Sequence, residues 1–311
     1  MEHHAGVHVA ASAAPQAAEP REDCVADNQT VKRRRLGNEL RRLREEAGHS
    51  REVVAEHMEW SNAKVWRIEA GKVGVRVRDV SELCVLYNAL DAELVATLKK
   101  LALEARTTEK SWWHQYGDVL PDWFQIYVNL EDGASEIRGY ESELVPGLCQ
   151  TPDYAEAVHR ASQPDSTGEE IRRLVDLRMA RQAILERPRS EAPRVWLILN
   201  EAVLRRRVGN AEIMRAQLAR LREIAAMPGI TIQVQTFAAG AHASMLNGFY
   251  MLNFKDPETR PIVYIEGATS ALYLEKAAEI DTYTVAFEHL QTSATKLVAL
   301  EGLIDNILKE F

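Results

Sequence analysis

Two short helical patterns pressed together between Gly48 and Lys72, GHSREVVAEHMEWSNAKVWRIEAGK, constrain this chain more than any other feature. Ser50 is placed to cap a helix carrying Val53, Val54, Ala55 and Met58, and Ser61 to cap another carrying Val65 and Ile68. So few residues separate the two that the helices must cross steeply, with a small residue such as Ala55 where their backbones approach. That is the spacing of a helix-turn-helix. Ahead of it, Leu36, Leu40 and Leu43 share one face of a helical pattern that Gly48 stops. Further amphipathic patterns at about Val80 to Tyr87 and Asp91 to Arg106 complete an all-α N-terminal domain of five helices, residues 31–106.

The net charge of -8 speaks at first against nucleic acid, but the charges are unevenly spread. Between Val31 and Asp79 stand 13 Lys or Arg against 8 Asp or Glu, a balance of +5, while residues 1–30 carry -4 and the remainder -9. A basic segment on an acidic body suits a protein that meets phosphate with one face only. Residues 1–30, rich in Ala and Pro, read as a disordered leader whose His3, His4 and His8 lack an ordered cage. Cys24, Cys84 and Cys149 lie too far apart to draw a disulfide framework or a metal site. No apolar run approaches the roughly 18 residues that cross a bilayer, and the start lacks the plan of a signal peptide. These features imply a cytoplasmic protein with no membrane partner, no cofactor and no bound metal.

Beyond Arg106 the texture changes. Trp112, Trp113, Tyr116, Trp123, Phe124 and Tyr127 crowd together, and the boundary of a second domain, residues 107–311, is placed just before them. Helical patterns follow at about Glu131 to Tyr140, Pro152 to Ala161, Thr167 to Glu186 and Ala211 to Ala226. Val195 to Leu199, Ile230 to Phe237, Phe249 to Phe254 and Ile262 to Ile265 read as strands, the last two joined as a hairpin through Lys255 to Pro261. The tail from Ala277 is helical with a break near Thr292-Ser293. This second domain is α+β.

The segment Gly48 to Lys72 resembles the DNA-binding domain of the phage-repressor-like, xenobiotic-response-element (XRE) family of helix-turn-helix regulators, through Ser50, Ala55, Ser61, Ile68 and the terminal Glu69-Ala70-Gly71-Lys72. Glu59 stands in the turn where that family usually has glycine. Residues from about Trp112 to Ile304 resemble the C-terminal domain of antitoxin-like transcriptional regulators of actinobacteria. The resemblance runs through Tyr140-Glu-Ser-Glu-Leu-Val-Pro-Gly-Leu-Cys-Gln-Thr-Pro-Asp-Tyr154, Arg178-Met-Ala-Arg-Gln182, Asn200-Glu-Ala-Val-Leu-Arg205, Gln217-Leu218, Gly248-Phe249 and Tyr264-Ile-Glu266. It implies a receiver for a small partner protein, with repression as the mode of regulation.

On the outer face of the second helix of the motif stand Ser61, Asn62, Ala63, Lys64 and, one turn on, Arg67. Asn pairs bidentately with adenine, Arg and Lys with guanine, and Ala touches a thymine methyl, so these residues suit a double-stranded DNA major groove. Arg51, Arg76 and Arg78 are candidates for phosphate contacts. Trp66 either stacks on a sugar-phosphate edge or packs at the domain surface, and the Lys32 to Arg35 cluster is either a minor-groove arm or a solvated flank. The repressor resemblance implies that Arg44 and Glu69 pair structurally, away from base recognition. Trp112, Trp113 and Trp123 are partner-protein anchors if they are exposed and core if they are buried.

An enzyme finds little support. HExxH, GxSxG, GxGxxG and P-loop patterns are missing, His242 near Ser244 has no third group, and the carboxylates of Asn200-Glu201 and Tyr264-Ile265-Glu266 suit capping or pairing with arginine. The reading is a homodimeric, sequence-specific transcriptional regulator with no catalytic residues. Its effector is a small partner protein or, alternatively, a small metabolite.

Overall fold

The structure, a computed structural model, describes residues 29–105, 112–257, 259–295 and 300–311. The leader, with His3, His4, His8 and Cys24, falls outside the described residues but for its last two positions.

The N-terminal part is helical. Helix α1 (Gln29–Glu46) buries Leu36, Leu40 and Leu43. It is stopped at Gly48, whose φ of 71° is the left-handed conformation glycine adopts without cost. Helices α2 (Arg51–His57) and α3 (Asn62–Glu69) begin at the two serines, whose hydroxyls accept from Val53 N and Lys64 N. Between them Glu59 sits at φ 53°, so the turn takes its usual left-handed form without glycine. The hydrogen bond from Trp60 N to Ala55 O, 2.8 Å, closes the end of α2 and holds that conformation. Helices α4 (Val77–Leu86) and α5 (Ala92–Glu104) lie over the first three. One core results, with Val54, Val65, Ile68, Val80, Leu83 and Leu98 at its centre.

The C-terminal part is α+β around one six-stranded sheet of order β3-β2-β1-β4-β5-β6. Its strands are β1 (Glu136–Glu141), β2 (Arg194–Asn200), β3 (Ile230–Gln235), β4 (Phe249–Asn253), β5 (Ile262–Glu266) and β6 (Ala271–Leu274). β1, β2 and β3 run parallel, whereas β4 to β6 continue as an antiparallel meander from the other side of β1. Helix α6 (Asp122–Asp132) precedes β1, α7 (Pro152–Ser162) and α8 (Gly168–Gln182) lie between β1 and β2, α9 (Glu201–Arg205) and α10 (Ala211–Ala225) lie between β2 and β3, and α11 (Ala277–Ser293) and α12 (Leu300–Leu308) follow β6.

The alternation of the strands sorts the two cores. Ile137, Val195, Leu197, Val234, Leu252 and Tyr264 face α6, α10 and α12, while Tyr140, Ile198, Phe249, Met251 and Val263 face Phe287 and Leu290 of α11.

Two expectations fail here. The helix expected over Glu131 to Tyr140 is the end of α6 followed by β1, and β6 was not foreseen. β1 is bounded by β2 on one side and β4 on the other, so it gains a full ladder on both edges that no local pattern reports. Gly139 at its centre leaves the space taken by the Tyr250 ring, since a Cβ there would lie 2.7 Å from that ring.

Candidate nucleic-acid interface

The outward face of α3, where the candidate DNA-reading residues stand, is set by what the helix buries. Val65, Ile68 and Glu69 point inward, which turns Ser61, Asn62, Ala63 and Arg67 to solvent on the opposite side. Asn62 Nδ2 donates to Glu52 Oε1 of α2, 2.5 Å away, which orients its amide. Lys64 is less free than its spacing implies. Its Nζ lies 3.7 Å from the centre of the Trp60 ring, and burial lowers its pKa, opposed by the charge of Asp79 and aided by that of Arg76. Trp66 is 43% exposed at the domain surface, with Lys72 Nζ 4.5 Å over its ring.

Arg44 and Glu69 meet as a bidentate pair, Nε to Oε1 at 2.6 Å and Nη2 to Oε2 at 3.1 Å, and both are 6% exposed. Arg44 Nη1 also donates to His49 O at 2.8 Å, so one guanidinium ties α1, the start of α2 and the end of α3. Arg51 stands outside this pair, its Nε 3.7 Å from Glu69 Oε2, and keeps an exposed side at the first turn of α2. Arg76 and Arg78 converge on Asp79, at 3.4 and 3.1 Å, so part of their charge is neutralised within the domain.

The Lys32 to Arg35 cluster is neither of the two things expected of it. Lys32 Nζ pairs with Glu104 at 2.8 Å, Arg33 Nε donates to Ala105 O at 3.1 Å, Arg34 pairs with Glu275 and Arg35 with Asp256. The cluster is spent inside the molecule, half of it on the sheet of the C-terminal part.

The three tryptophans also move to the packing side of the alternative drawn for them. Trp113 is 5% exposed in a small core with Leu120, Val128 and Leu177. Trp112 and Trp123 are half-buried, Trp112 donating to Asp132 Oδ1 at 3.3 Å and Trp123 lying against the main core. Trp113 is core, and Trp112 and Trp123 keep only part of their surface exposed.

Residues 35–98 match the helix-turn-helix domain family. Residues 124–299, more than half of the chain, match the family described as a domain of unknown function, DUF5753. The chain belongs to that family. No curated protein and no solved structure matches it.

In the DUF5753 domain Tyr154, Gln217 and the Arg178 to Gln182 motif hold one segment, Ser142 to Thr151, between β1 and α7. Gln182 Nε2 donates to Gly147 O and Gln150 O at 3.0 and 2.7 Å, and Arg178 Nη1 donates to Gln150 Oε1 at 2.6 Å. Gln217 donates to Cys149 O and accepts from Thr151 N, both at 2.7 Å, while the Tyr154 hydroxyl accepts from Val145 N. A loop buried without a ladder needs such partners for its backbone groups. Arg178, Arg181 and Gln182, spaced i, i+3 and i+4 on α8, were the legible signal for a shared face.

The groups weighed for catalysis also have structural work. Asn200 Oδ1 caps α9, Glu201 accepts from Arg205 and Phe237 N, and His242 accepts from the backbone of Ser244 while its other nitrogen meets the Tyr140 hydroxyl.

One carboxyl of the DUF5753 domain stands out. Burial, seconded by the charge of Glu266, pushes Glu141 up to about 7, against the hydrogen bond from Tyr250 OH at 2.7 Å and the charge of Arg178. A carboxyl raised on folding contributes stability that is full below its ordinary value of 4.5 and is lost as pH rises through about 7. Glu141→Gln, which cannot ionise, is therefore expected to gain thermal stability relative to the parent between about pH 5 and pH 8. A melting-temperature difference that stays constant across that window would contradict the assignment.

Proposed function

We propose that this chain is a sequence-specific transcriptional regulator that binds duplex DNA as a homodimer and represses, and that its DUF5753 domain senses a small partner protein. The observation that carries the DNA half is the exposed face of α3, with Asn62, Ala63 and Arg67 turned outward from a helix whose far end the Arg44–Glu69 pair locks to α1. A rigid helix presenting an amide, a methyl and a guanidinium matches the donor and acceptor pattern of the major groove. One such helix reads too few base pairs to select a site, which is the argument for two protomers on a palindrome.

For the sensing half, the antitoxin-like resemblance is the support, and the residues that suit it are Phe237, Met245 and Leu246, the last 92% exposed, in the stretch between β3 and β4. Cytoplasmic residence follows from DNA as the target, and no helix among the described residues is long and apolar enough to cross a membrane.

The test is site selection from random duplex DNA with the full chain, followed by affinity and sedimentation on the selected site. Arg67→Ala is expected to cost about 1–3 kcal/mol on that site and to relax preference at one or two base pairs. Arg51→Ala should instead weaken selected and random DNA alike and reduce the salt slope by roughly one. Equal losses on both DNAs for Arg67→Ala would remove it from base reading, and a monomer on the selected site would remove the dimer.

A further inference from the structure

Arg34 touches both halves of the molecule. Its backbone lies against Gly71, just past the end of α3, so closely that a Cβ there would fall 2.7 Å from Arg34 Cα and 2.6 Å from its Cγ. One turn along α1, Gly37 meets the last turn of α3 in the same way, where a Cβ would be 2.4 Å from Ile68 O. With no side chain between the two backbones, α1 and the end of the recognition helix have no slack and must move as one body.

The side chain of Arg34 runs the other way. Its guanidinium bonds Glu275, between β6 and α11, and its Cζ lies 5.0 Å over the Tyr273 ring. Asn38, one turn on, donates to the second oxygen of Glu275 at 3.1 Å. Tyr273 is itself fixed to α6 by a 2.6 Å hydrogen bond from its hydroxyl to Trp123 O. Val31 packs on the main core of the DUF5753 domain, and Arg35 bonds Asp256 in the β4–β5 loop.

Beside this contact lies a cleft of about 1240 Å³ between the two parts. One wall carries Arg51, Trp66 and Lys72, and the other carries Tyr273, Glu275 and Glu279. Glu275 and Glu279 add negative charge to the cleft into which Arg51 and Lys72 open, and that charge opposes a phosphate strand there. The same wall holds Arg34 through Glu275.

We propose that the Arg34–Glu275–Asn38 contact is a latch through which the DUF5753 domain holds the recognition helix in a low-affinity arrangement, and that releasing it raises DNA affinity. The proposal rests on the reading of the chain as a DNA-binding regulator and supplies its mechanical link. The effector-sensing domain grips α1, and α1 carries α3 with it. An effector that favours the released arrangement increases DNA binding, and by reciprocity DNA strengthens effector binding by the same factor.

The test compares the full chain with Glu275→Gln, Arg34→Gln and Glu279→Gln on the selected duplex, and follows amide exchange along α1 and β6 without DNA. The latch predicts that Glu275→Gln and Arg34→Gln each tighten DNA binding by about fivefold or more, with faster exchange at Ala271 to Leu274. Arg34→Gln decides the matter by its sign, because it removes a cation from the DNA-binding half. If charge alone governed affinity, Arg34→Gln would bind more weakly, and that result overturns the latch. So does a gain in Glu279→Gln as large as that in Glu275→Gln, since Glu279 lies on the same wall and outside the contact. Unchanged exchange together with unchanged affinity also overturns it. Failure of every form, parent included, to prefer any duplex would defeat the regulator reading instead, while exchange would still report whether the contact restrains β6.

Discussion

Glu69→Gln is expected to destabilise the N-terminal helical domain by about 3–5 kcal/mol, because it leaves a buried guanidinium without its counter-charge. Arg44 and Glu69 share two hydrogen bonds at almost complete burial, and the third donor of Arg44 goes to His49 O. The amide of Gln keeps one acceptor for Arg44 but cannot accept both bonds or balance the charge. The exposed carboxylate of Glu45, 3.3 Å from Arg44 Nη2, is screened by solvent and replaces little of that charge, while Arg51, itself a cation 3.7 Å from Glu69, loses a partner as well. Urea unfolding followed by the fluorescence of Trp60 and Trp66, the two tryptophans of this domain, would report the loss. The folded fraction should keep its base preference, since neither residue faces the groove. Unchanged stability with lost preference would instead make Glu69 a recognition residue.

The helix-turn-helix was legible because its causes are local. Ser50 and Ser61 cap, and Leu36, Leu40 and Leu43 repeat at helical spacing, whereas Glu59, where the resembled family has glycine, spoke against a left-handed turn that the structure nevertheless forms. Lys64 was legible as a surface cation but not as one laid over Trp60, because that contact depends on the angle between the turn and α3. The fate of Lys32 to Arg35 could not be read at all. Lys32 and Arg33 find Glu104 and Ala105 at the end of α5, about seventy residues on, and the partners of Arg34 and Arg35, Glu275 and Asp256, lie more than two hundred residues away and are brought near only by the docking of α1 on the C-terminal part.

β1 illustrates the opposite failure. Glu131 to Tyr140 has apolar residues at spacings that fit a helix over its whole length, yet the chain leaves the helix at Gly133 and enters the middle of the sheet. What decides is the pair of neighbours β2 and β4, each supplied from far along the sequence. The tryptophans behave similarly. Their density announced packing or an exposed anchor, and only the burial of Trp113 under Leu120 and Leu177 chooses. Arg178-Met-Ala-Arg-Gln182 was visible as a motif without a chemistry, and its chemistry is to satisfy the carbonyls of a loop that the sequence places thirty residues earlier.

The second large effect is expected in that same helix. Arg181 and Glu131 form a bidentate pair, Nε to Oε2 at 2.9 Å and Nη2 to Oε1 at 2.8 Å, with both side chains buried. The guanidinium also lies over the rings of Phe124 and Tyr127, 5.0 and 5.4 Å from their centres, so it is packed as well as paired. Arg181→Met is expected to cost about 3–5 kcal/mol, since it strands the Glu131 carboxylate beside Tyr127 in an apolar setting. The double replacement Arg181→Met with Glu131→Leu should recover most of that loss, because removing both charges also removes the cost of burying them. Unfolding of the C-terminal part, followed at Trp112, Trp113, Trp123 and Trp196, gives both numbers. A double variant no more stable than Arg181→Met would mean that the arginine acts through its stacking on Phe124 and Tyr127. A fully restored one would mean that the pair serves the geometry of α6 against α8 and adds nothing to the net stability of the domain.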